Sequence, residues 1–245
     1  MGSTGSTWLA KLLDSHPEVS CSHEAVISQV FPRDQVSAED VRRFIEYFAW
    51  DTKHHAYRTV GDVGSAWSTH LPYLPFPTAL LLRHPARVLH TRLRVYPHNP
   101  AYFPEIPEST KVCIHELWGI KIDEWGTLDR VFLYDAFTFA SQVWAADKVD
   151  FLIRIEDMQD ANFCHEILHA ITGVEYDDTI VATAIGNPVN RSSGPILSVE
   201  EIVARFSARQ RAWYQTILAN VVGAFGYCLL SDPISKRSSA CRSFS

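Results

Sequence analysis

The segment GSTGSTWLAKLLDSHPE, residues 2–18, determines how the start of this chain folds. Its first six residues are glycine, serine or threonine, and apolar residues then recur one helical turn apart as far as Leu13. This pattern predicts a glycine-containing loop that leads into the N-terminus of a helix. Free backbone N–H groups and the positive end of the helix dipole converge there, which suits an anion. The same residues are also ordinary helix caps and turn formers, so the segment alone leaves both interpretations open.

The bulk composition is that of a soluble globular protein. The chain has 245 residues, with 47% hydrophobic and 20% charged residues, enough for one sizeable core. Its net charge of −6 gives no general case for nucleic-acid binding. We find no apolar run long enough to span a bilayer and no signal-peptide pattern. The five cysteines are scattered and never form CxxC, which predicts reduced thiols in a cytoplasmic protein without a metal site.

Apolar runs that alternate with helical patterns predict an α/β fold. Residues 78–82 (TALLL) and 151–157 (FLIRIED) have the character of buried strands, and residues 57–60 of a shorter one. Helical patterns cover residues 37–48, 86–96, 137–149, 162–173 and 198–226. This order predicts a parallel β-sheet flanked by helices in a single domain over residues 1–234, followed by a disordered tail over residues 235–245. Ligands of such folds bind at the carboxyl ends of the strands.

Two further segments carry residues that suit a phosphate. Arg83 directly follows the strand at residues 78–82, and Thr91 lies eight residues later in the predicted helix. An arginine and a hydroxyl so placed can bind one phosphate from two sides. The second segment is a polar loop that contains Arg191, Ser192, Ser193 and Gly194. Alternatively, Arg83 forms an ion pair at the surface, and the polar loop only connects two elements.

Together, and in this order, these segments resemble the sulfotransferase family, which uses 3′-phosphoadenosine 5′-phosphosulfate (PAPS) as donor. GSTGSTW is similar to the family's 5′-phosphosulfate loop, and TALLLRHPARVLHTR resembles its 3′-phosphate motif. FLIRIEDM is similar to the family's strand that ends in R-x-E-D, and LLDSHPEVSCSHE resembles a motif of the tyrosylprotein sulfotransferases and their bacterial relatives. The resemblance implies a P-loop-like nucleotide-binding fold that passes a sulfuryl group from PAPS to an acceptor hydroxyl without a metal.

The resemblance assigns donor-binding roles residue by residue. The 5′-phosphosulfate would lie on the loop formed by Ser3, Thr4, Gly5, Ser6 and Thr7. The 3′-phosphate would contact Arg83 and Thr91, with help from the loop of Arg191, Ser192, Ser193 and Gly194. Trp8 would stack on the adenine, and a core aromatic is the alternative for this residue.

Two residues are candidates for the general base, which is needed because a neutral hydroxyl is a poor nucleophile toward sulfur. Glu24 matches the carboxylate proposed as base in the tyrosylprotein branch, and a solvated acid is the alternative. His70 lies in a T-H-L-P segment that resembles the one around the catalytic histidine of cytosolic sulfotransferases, and a structural histidine is the alternative. The acceptor, whether a tyrosyl peptide, a sugar or a small alcohol, would meet the proline-rich loop at residues 96–107.

Three departures from the family pattern bear on activity. Ser3 stands where the family's loop has lysine or arginine, and Val63 stands where the bacterial relatives have lysine. Losing one such positioned cation commonly lowers the rate by about 100-fold or more. Met1 alone precedes the loop, so the family's first strand is expected to be missing. Ser3 and Val63 favour an alternative function, a catalytically weak or inactive PAPS-binding or interaction protein. A P-loop NTPase is disfavoured because the chain has no G-x-x-x-x-G-K-[ST] motif.

Overall fold

The computed structural model describes residues 5–24, 39, 42–43, 46–47, 57–64, 76–98, 105–187 and 197–231. By their internal contacts these residues divide into two units. The first unit contains the described residues of 1–82 and 148–193, and the second contains those of 83–147 and 194–240. The single domain expected over residues 1–234 stays a prediction, and the expected tail at residues 235–245 lies outside the described residues.

The strands belong to the first unit and pair in parallel. β1 (Val19–His23) pairs with β2 (Thr59–Val63), and β3 (Ala79–Leu82) pairs with β4 (Phe151–Arg154). This confirms the prediction of a mixed α/β chain with parallel strands. Within the part of the chain that is described, the strands form two separate pairs, whereas the sequence predicted one sheet.

Helices make up most of the rest of the described chain. Their bounds are α1 (Ser6–Leu13), α2 (Pro85–Val95), α3 (Glu108–Trp118), α4 (Thr127–Ala146), α5 (Ala161–Thr172), α6 (Asp178–Gly186), α7 (Val199–Ala204) and α8 (Ala208–Ala224). The predicted helices at residues 86–96 and 162–173 agree with α2 and α5, and the region 198–226 contains α7 and α8. α4 begins at Thr127, earlier than predicted, and α3 and α6 were not predicted.

A hydrophobic core holds the first unit together around α1. The apolar face that the sequence predicts for α1 is buried there, against β1, β4, α5 and α6. Ile153 of β4 and Leu168 of α5 are fully buried in this core. The Tyr176 hydroxyl donates a hydrogen bond to the Leu13 carbonyl oxygen at 2.7 Å, which fixes the end of α1. The core therefore sets the position of α1, and with it the loop from which α1 begins.

The second unit has a core of its own, built on α4. Phe132 is fully buried and packs edge-to-face on Phe206, with 5.4 Å between ring centroids. Phe139 packs in the same way on Phe225 at 5.6 Å. Among the described helices of the chain, none is long and apolar enough to cross a membrane.

Candidate functional site

The N-terminus of α1 presents backbone N–H groups that no described side chain caps. Gly5 is the N-cap, with φ of 89° and ψ of 11°, and its carbonyl accepts the first helical hydrogen bond, from the Leu9 amide at 3.0 Å. The first N–H groups of a helix have no partner inside the helix. Gly5 has no side chain to accept from them, and no side chain of the described residues accepts from the N–H groups of Ser6 and Thr7. Such groups suit an external acceptor.

Close packing also requires glycine at position 5. A Cβ placed there would lie 2.9 Å from both Cγ1 and Cδ1 of Ile155, the residue after β4. The φ of 89° falls in the left-handed region, which side chains other than glycine rarely adopt. The backbone at Gly5 therefore lies too close to Ile155 for a side chain at this position.

His23, which the sequence analysis did not single out, contacts both loop hydroxyls. Its Nε2 lies 2.9 Å from Ser6 Oγ and 3.4 Å from Thr7 Oγ1. His23 is the last residue of β1 and is half-buried. The structure thus gathers two hydroxyls, an imidazole and the N-terminus of α1 in one place.

A tight connection between α1 and β1 returns the chain to this point. Val19 donates from its amide to the His16 carbonyl oxygen at 3.0 Å, and the Cys21 amide donates to Asp14 Oδ1 at 2.9 Å. Asp14 is the C-cap of α1, so one carboxylate joins the end of the helix to the middle of the strand. The D-S-H-P-E segment therefore has a structural role, which is to reverse the chain so that β1 ends beside the start of α1.

Glu24 follows β1 directly and has an unusual backbone. Its φ is 55°, and it is the one residue other than glycine with a positive φ in the described chain. Its amide donates to the Val63 carbonyl oxygen at 3.1 Å, which continues the pairing of β1 with β2 by one bond. A carboxylate in a strained conformation at a strand end is the kind of outlier that accompanies functional sites. Its role as base stays a prediction.

Two residues of β2, Asp62 and Val63, lie beside the end of β1. Val63, which stands in place of a lysine of the bacterial relatives, packs against the core of the first unit. Ser22, the residue before His23, donates to Asp62 Oδ1 at 2.6 Å, so an acid also lies at this edge. Val63 and Asp62 therefore supply no positive charge where the resemblance implies a lysine.

Trp8 is buried in the core, with 5% of its surface exposed. Its Nε1 donates to the Ala184 carbonyl oxygen at 2.9 Å, which ties α1 to α6. This placement favours the interpretation of Trp8 as a core aromatic over that of an indole stacked face-to-face on adenine. Trp8 also lines a cavity of about 370 Å³ between α1 and α6, together with Lys11, Leu12, Ser15, Thr179, Ile180, Thr183, Ala184 and Asn187.

Arg83 and Thr91 lie in the second unit, at the start of α2 and two turns along it. Arg83 is half-buried and interacts with its surroundings, and His84, which is fully buried, caps α2 by accepting from the Ala86 amide at 3.3 Å. The Thr91 hydroxyl donates to the Arg87 carbonyl oxygen at 2.8 Å. The predicted spacing along the helix is thus present, and phosphate binding by this pair stays a prediction.

The R-x-E-D segment forms an internal ion pair. Arg154, the last residue of β4, donates from Nε and Nη2 to the two carboxylate oxygens of Asp157 at 2.6 and 2.9 Å. Only 7% of Arg154 is exposed. The pair holds the turn between β4 and α5, next to Ile155 and therefore next to the loop.

The other predicted site residues lie outside the described residues, namely Ser3, Thr4, His70, Arg191, Ser192, Ser193 and Gly194. In the part of the chain that is described, no group of three or more histidine, cysteine or acidic side chains is placed to hold a metal ion. No protein-family model, no curated protein and no solved structure matches this chain.

Proposed function

We propose that this chain binds PAPS at the N-terminus of α1 and transfers its sulfuryl group to an acceptor hydroxyl. The observation that carries the proposal is the start of α1, where Gly5 leaves the first N–H groups uncapped and Ser6 and Thr7 add two hydroxyls. Backbone N–H groups and hydroxyls at a helix N-terminus are suited to a phosphosulfate. The wider proposal, a sulfotransferase fold, follows from the order of motifs in the sequence.

The reaction would be an in-line transfer. The acceptor oxygen attacks the sulfur, the bond from sulfur to the bridging phosphate oxygen breaks, and 3′-phosphoadenosine 5′-phosphate (PAP) leaves. The hydroxyl proton passes to a base, for which we propose the Glu24 carboxylate at the end of β1. As in phosphoryl transfer, positioning and charge stabilisation supply most of the acceleration. The amides at the start of α1 would stabilise the charge that develops on the departing phosphate.

The cavity between α1 and α6 gives the nucleoside a place in this proposal. It is mainly apolar, and Thr179, Thr183 and Asn187 add polar atoms to its wall. Nucleoside pockets combine an apolar lining with a few orienting polar groups in this way. Since Trp8 is buried, we propose that adenine enters the cavity and meets the edge of the indole. Arg83 and Thr91, by resemblance, would contact the 3′-phosphate.

A specific observation favours the alternative, a nucleotide binder with little or no turnover. The Val63 side chain packs into the core, so this position supplies no cation to the loop. Ser3 likewise lacks the charge that the family's loop carries. Binding would survive these changes better than catalysis, because the lost charges act on the bridging oxygen in the transition state.

Two measurements test the proposal. Calorimetric titration with PAP and with adenosine 5′-monophosphate should give tighter binding of PAP if the 3′-phosphate is recognised. Transfer of labelled sulfate from PAPS to a panel of phenols, peptides and sugars then separates the two functions. Binding with turnover supports the transferase, and binding without turnover supports the alternative. If the chain binds neither PAP nor adenosine 5′-monophosphate, both proposed functions are overturned.

A further inference from the structure

The contact between His23 and the loop raises the question of what an imidazole does there. Nε2 lies within hydrogen-bond distance of Ser6 Oγ, at 2.9 Å, and close to Thr7 Oγ1, at 3.4 Å. No ion pair involves His23 in the described part of the chain. The two hydroxyls that it contacts are the same ones that the proposed function gives to the anion.

Protonation of the ring changes what these hydroxyls can do. A neutral imidazole with its hydrogen on Nδ1 accepts at Nε2, so the Ser6 hydroxyl hydrogen points at the histidine. An imidazolium donates from Nε2, so Ser6 Oγ becomes the acceptor and its hydrogen can point at a bound anion. Protonation therefore adds a donor to the anion site as well as a positive charge.

The elements that carry His23 and the loop also carry other titratable groups. Cys21 is neutral, since burial and the neighbouring Asp62 and Asp14 carboxylates raise its pKa to about 12. The other charged side chains on α1, β1 and β2, or directly after them, are Lys11 and Asp14 at the far end of α1, Glu24 after β1, and Asp62 of β2.

We propose that His23 is the positioning residue through which proton concentration controls anion binding at the start of α1. Its protonated ring would turn the Ser6 and Thr7 hydroxyls toward the 5′-phosphosulfate and supply the positive charge that Ser3 and Val63 do not. This inference rests on the proposed function, because the anion is the 5′-group of the donor. Affinity for that anion is higher in mildly acidic solution, where histidine side chains are charged.

The experiment is a titration of the full chain with PAP at about pH 5.5 and about pH 8.5, on either side of the usual histidine transition. The variants are His23→Gln, which keeps a hydrogen-bonding group but cannot gain a charge, and His23→Lys, which is charged at both values. His169→Gln is the matched control, because this exposed histidine belongs to the same unit and pairs with Glu175 at the end of α5.

Binding of PAP to the wild-type chain should weaken between the two pH values by about tenfold more than binding to His23→Gln, because the protonated ring, which is lost at the upper value, binds the anion more tightly than the neutral ring. The variant corrects for titration of the ligand's own phosphates. His23→Lys should show the same small pH dependence as His23→Gln, and at the upper pH it should bind PAP more tightly than His23→Gln does. His169→Gln should show the pH dependence of the wild type. Equal pH dependence of wild type and His23→Gln overturns the inference alone. Absence of PAP binding to the wild type at both values overturns the proposed function and the inference with it.

Discussion

At the scale of single residues, Gly5 offers the sharpest test of the loop. Gly5→Ala should destabilise the fold by about 2–3 kcal/mol, since the left-handed backbone alone costs about 1–2 kcal/mol and the new Cβ would press on Ile155 at 2.9 Å. PAP affinity should fall as well, because relief of the clash moves the amides at the start of α1. Chemical denaturation and calorimetric titration measure the two effects.

Gly173→Ala is the control for this change. Gly173 has a similar φ, 71°, and lies in the same unit, yet a Cβ there would meet only the end of the Arg58 side chain at 3.6 Å. It should cost about 1 kcal/mol and leave PAP affinity unchanged. If the two alanine variants lose equal stability, the close approach of Gly5 to Ile155 has no energetic consequence.

Glu24 combines a strained backbone with a proposed catalytic role, and two substitutions separate them. Glu24→Gln should keep PAP affinity and lower sulfuryl transfer by about 100-fold or more. Glu24→Gly should lose transfer equally and raise the free energy of unfolding by about 0.5–1 kcal/mol, because glycine adopts a φ of 55° without strain. A Glu24→Gln variant with full transfer activity would assign the base to another group.

Sequence reasoning found some of these residues and missed others for a physical reason. The loop around Gly5 was predictable because small and hydroxyl residues before an apolar helix form a local signal. His23 was missed because its contact with Ser6 depends on the reversal of the chain through Asp14 and Cys21. A histidine in a polar stretch carries no sequence signal of its own. The contact between His23 and Ser6 is visible only once the end of β1 is placed beside the start of α1.

At the scale of elements, β3, β4 and α1 were predictable because the sequence of each shows an apolar run or an apolar helical face. β1 was not, since VSCSH mixes polar and apolar residues and buries only Val19 well. α4 was predicted to start late, near residue 137, because its first turn, TLDR, is mostly polar. Elements whose burial depends on partners distant in sequence leave a weak pattern in the chain itself.

The ion pair after β4 allows a prediction at this scale. Asp157→Ala should destabilise the fold by about 2–3 kcal/mol, because it leaves the buried Arg154 guanidinium without its carboxylate. The loss should be smaller than for a fully buried pair, since the Asp157 side chain is 24% exposed. Arg154→Met alone should cost stability too, and the double variant should cost less than the sum of the two. A coupling of about 1–3 kcal/mol is expected from denaturation of the four proteins.

The same set of variants tests whether the pair supports the loop. Ile155 lies between the two charged residues and contacts Gly5, so a displaced turn should also weaken PAP binding. Lys121→Met is a suitable control, because both side chains of the Lys121–Glu124 ion pair are exposed to solvent. Strict additivity of the Arg154 and Asp157 changes would show that the observed hydrogen bonds contribute no stability.

At the scale of the whole molecule, the chain builds two units from segments that alternate along the sequence. β3 and β4 are neighbours in space, yet residues 83–147 of the second unit lie between them in the chain. Residues 194–231 then return to complete the second unit with α7 and α8. Composition and local periodicity cannot foresee such a division, because it depends on contacts between segments that are distant in the chain.

Each unit has its own buried core, and this leads to a prediction for the whole chain. Ile153→Ala in the first unit and Phe132→Ala in the second each remove a side chain that is fully buried, at a cost of about 3–4 kcal/mol. Hydrogen exchange followed by mass spectrometry should show faster exchange in β1–β4, α1, α5 and α6 for the first variant. The second variant should accelerate exchange in α2–α4, α7 and α8, since local opening follows the core that is weakened. PAP should slow exchange at the start of α1 in the Phe132→Ala protein. Equal acceleration throughout the chain in both variants would mean that the two cores unfold as one.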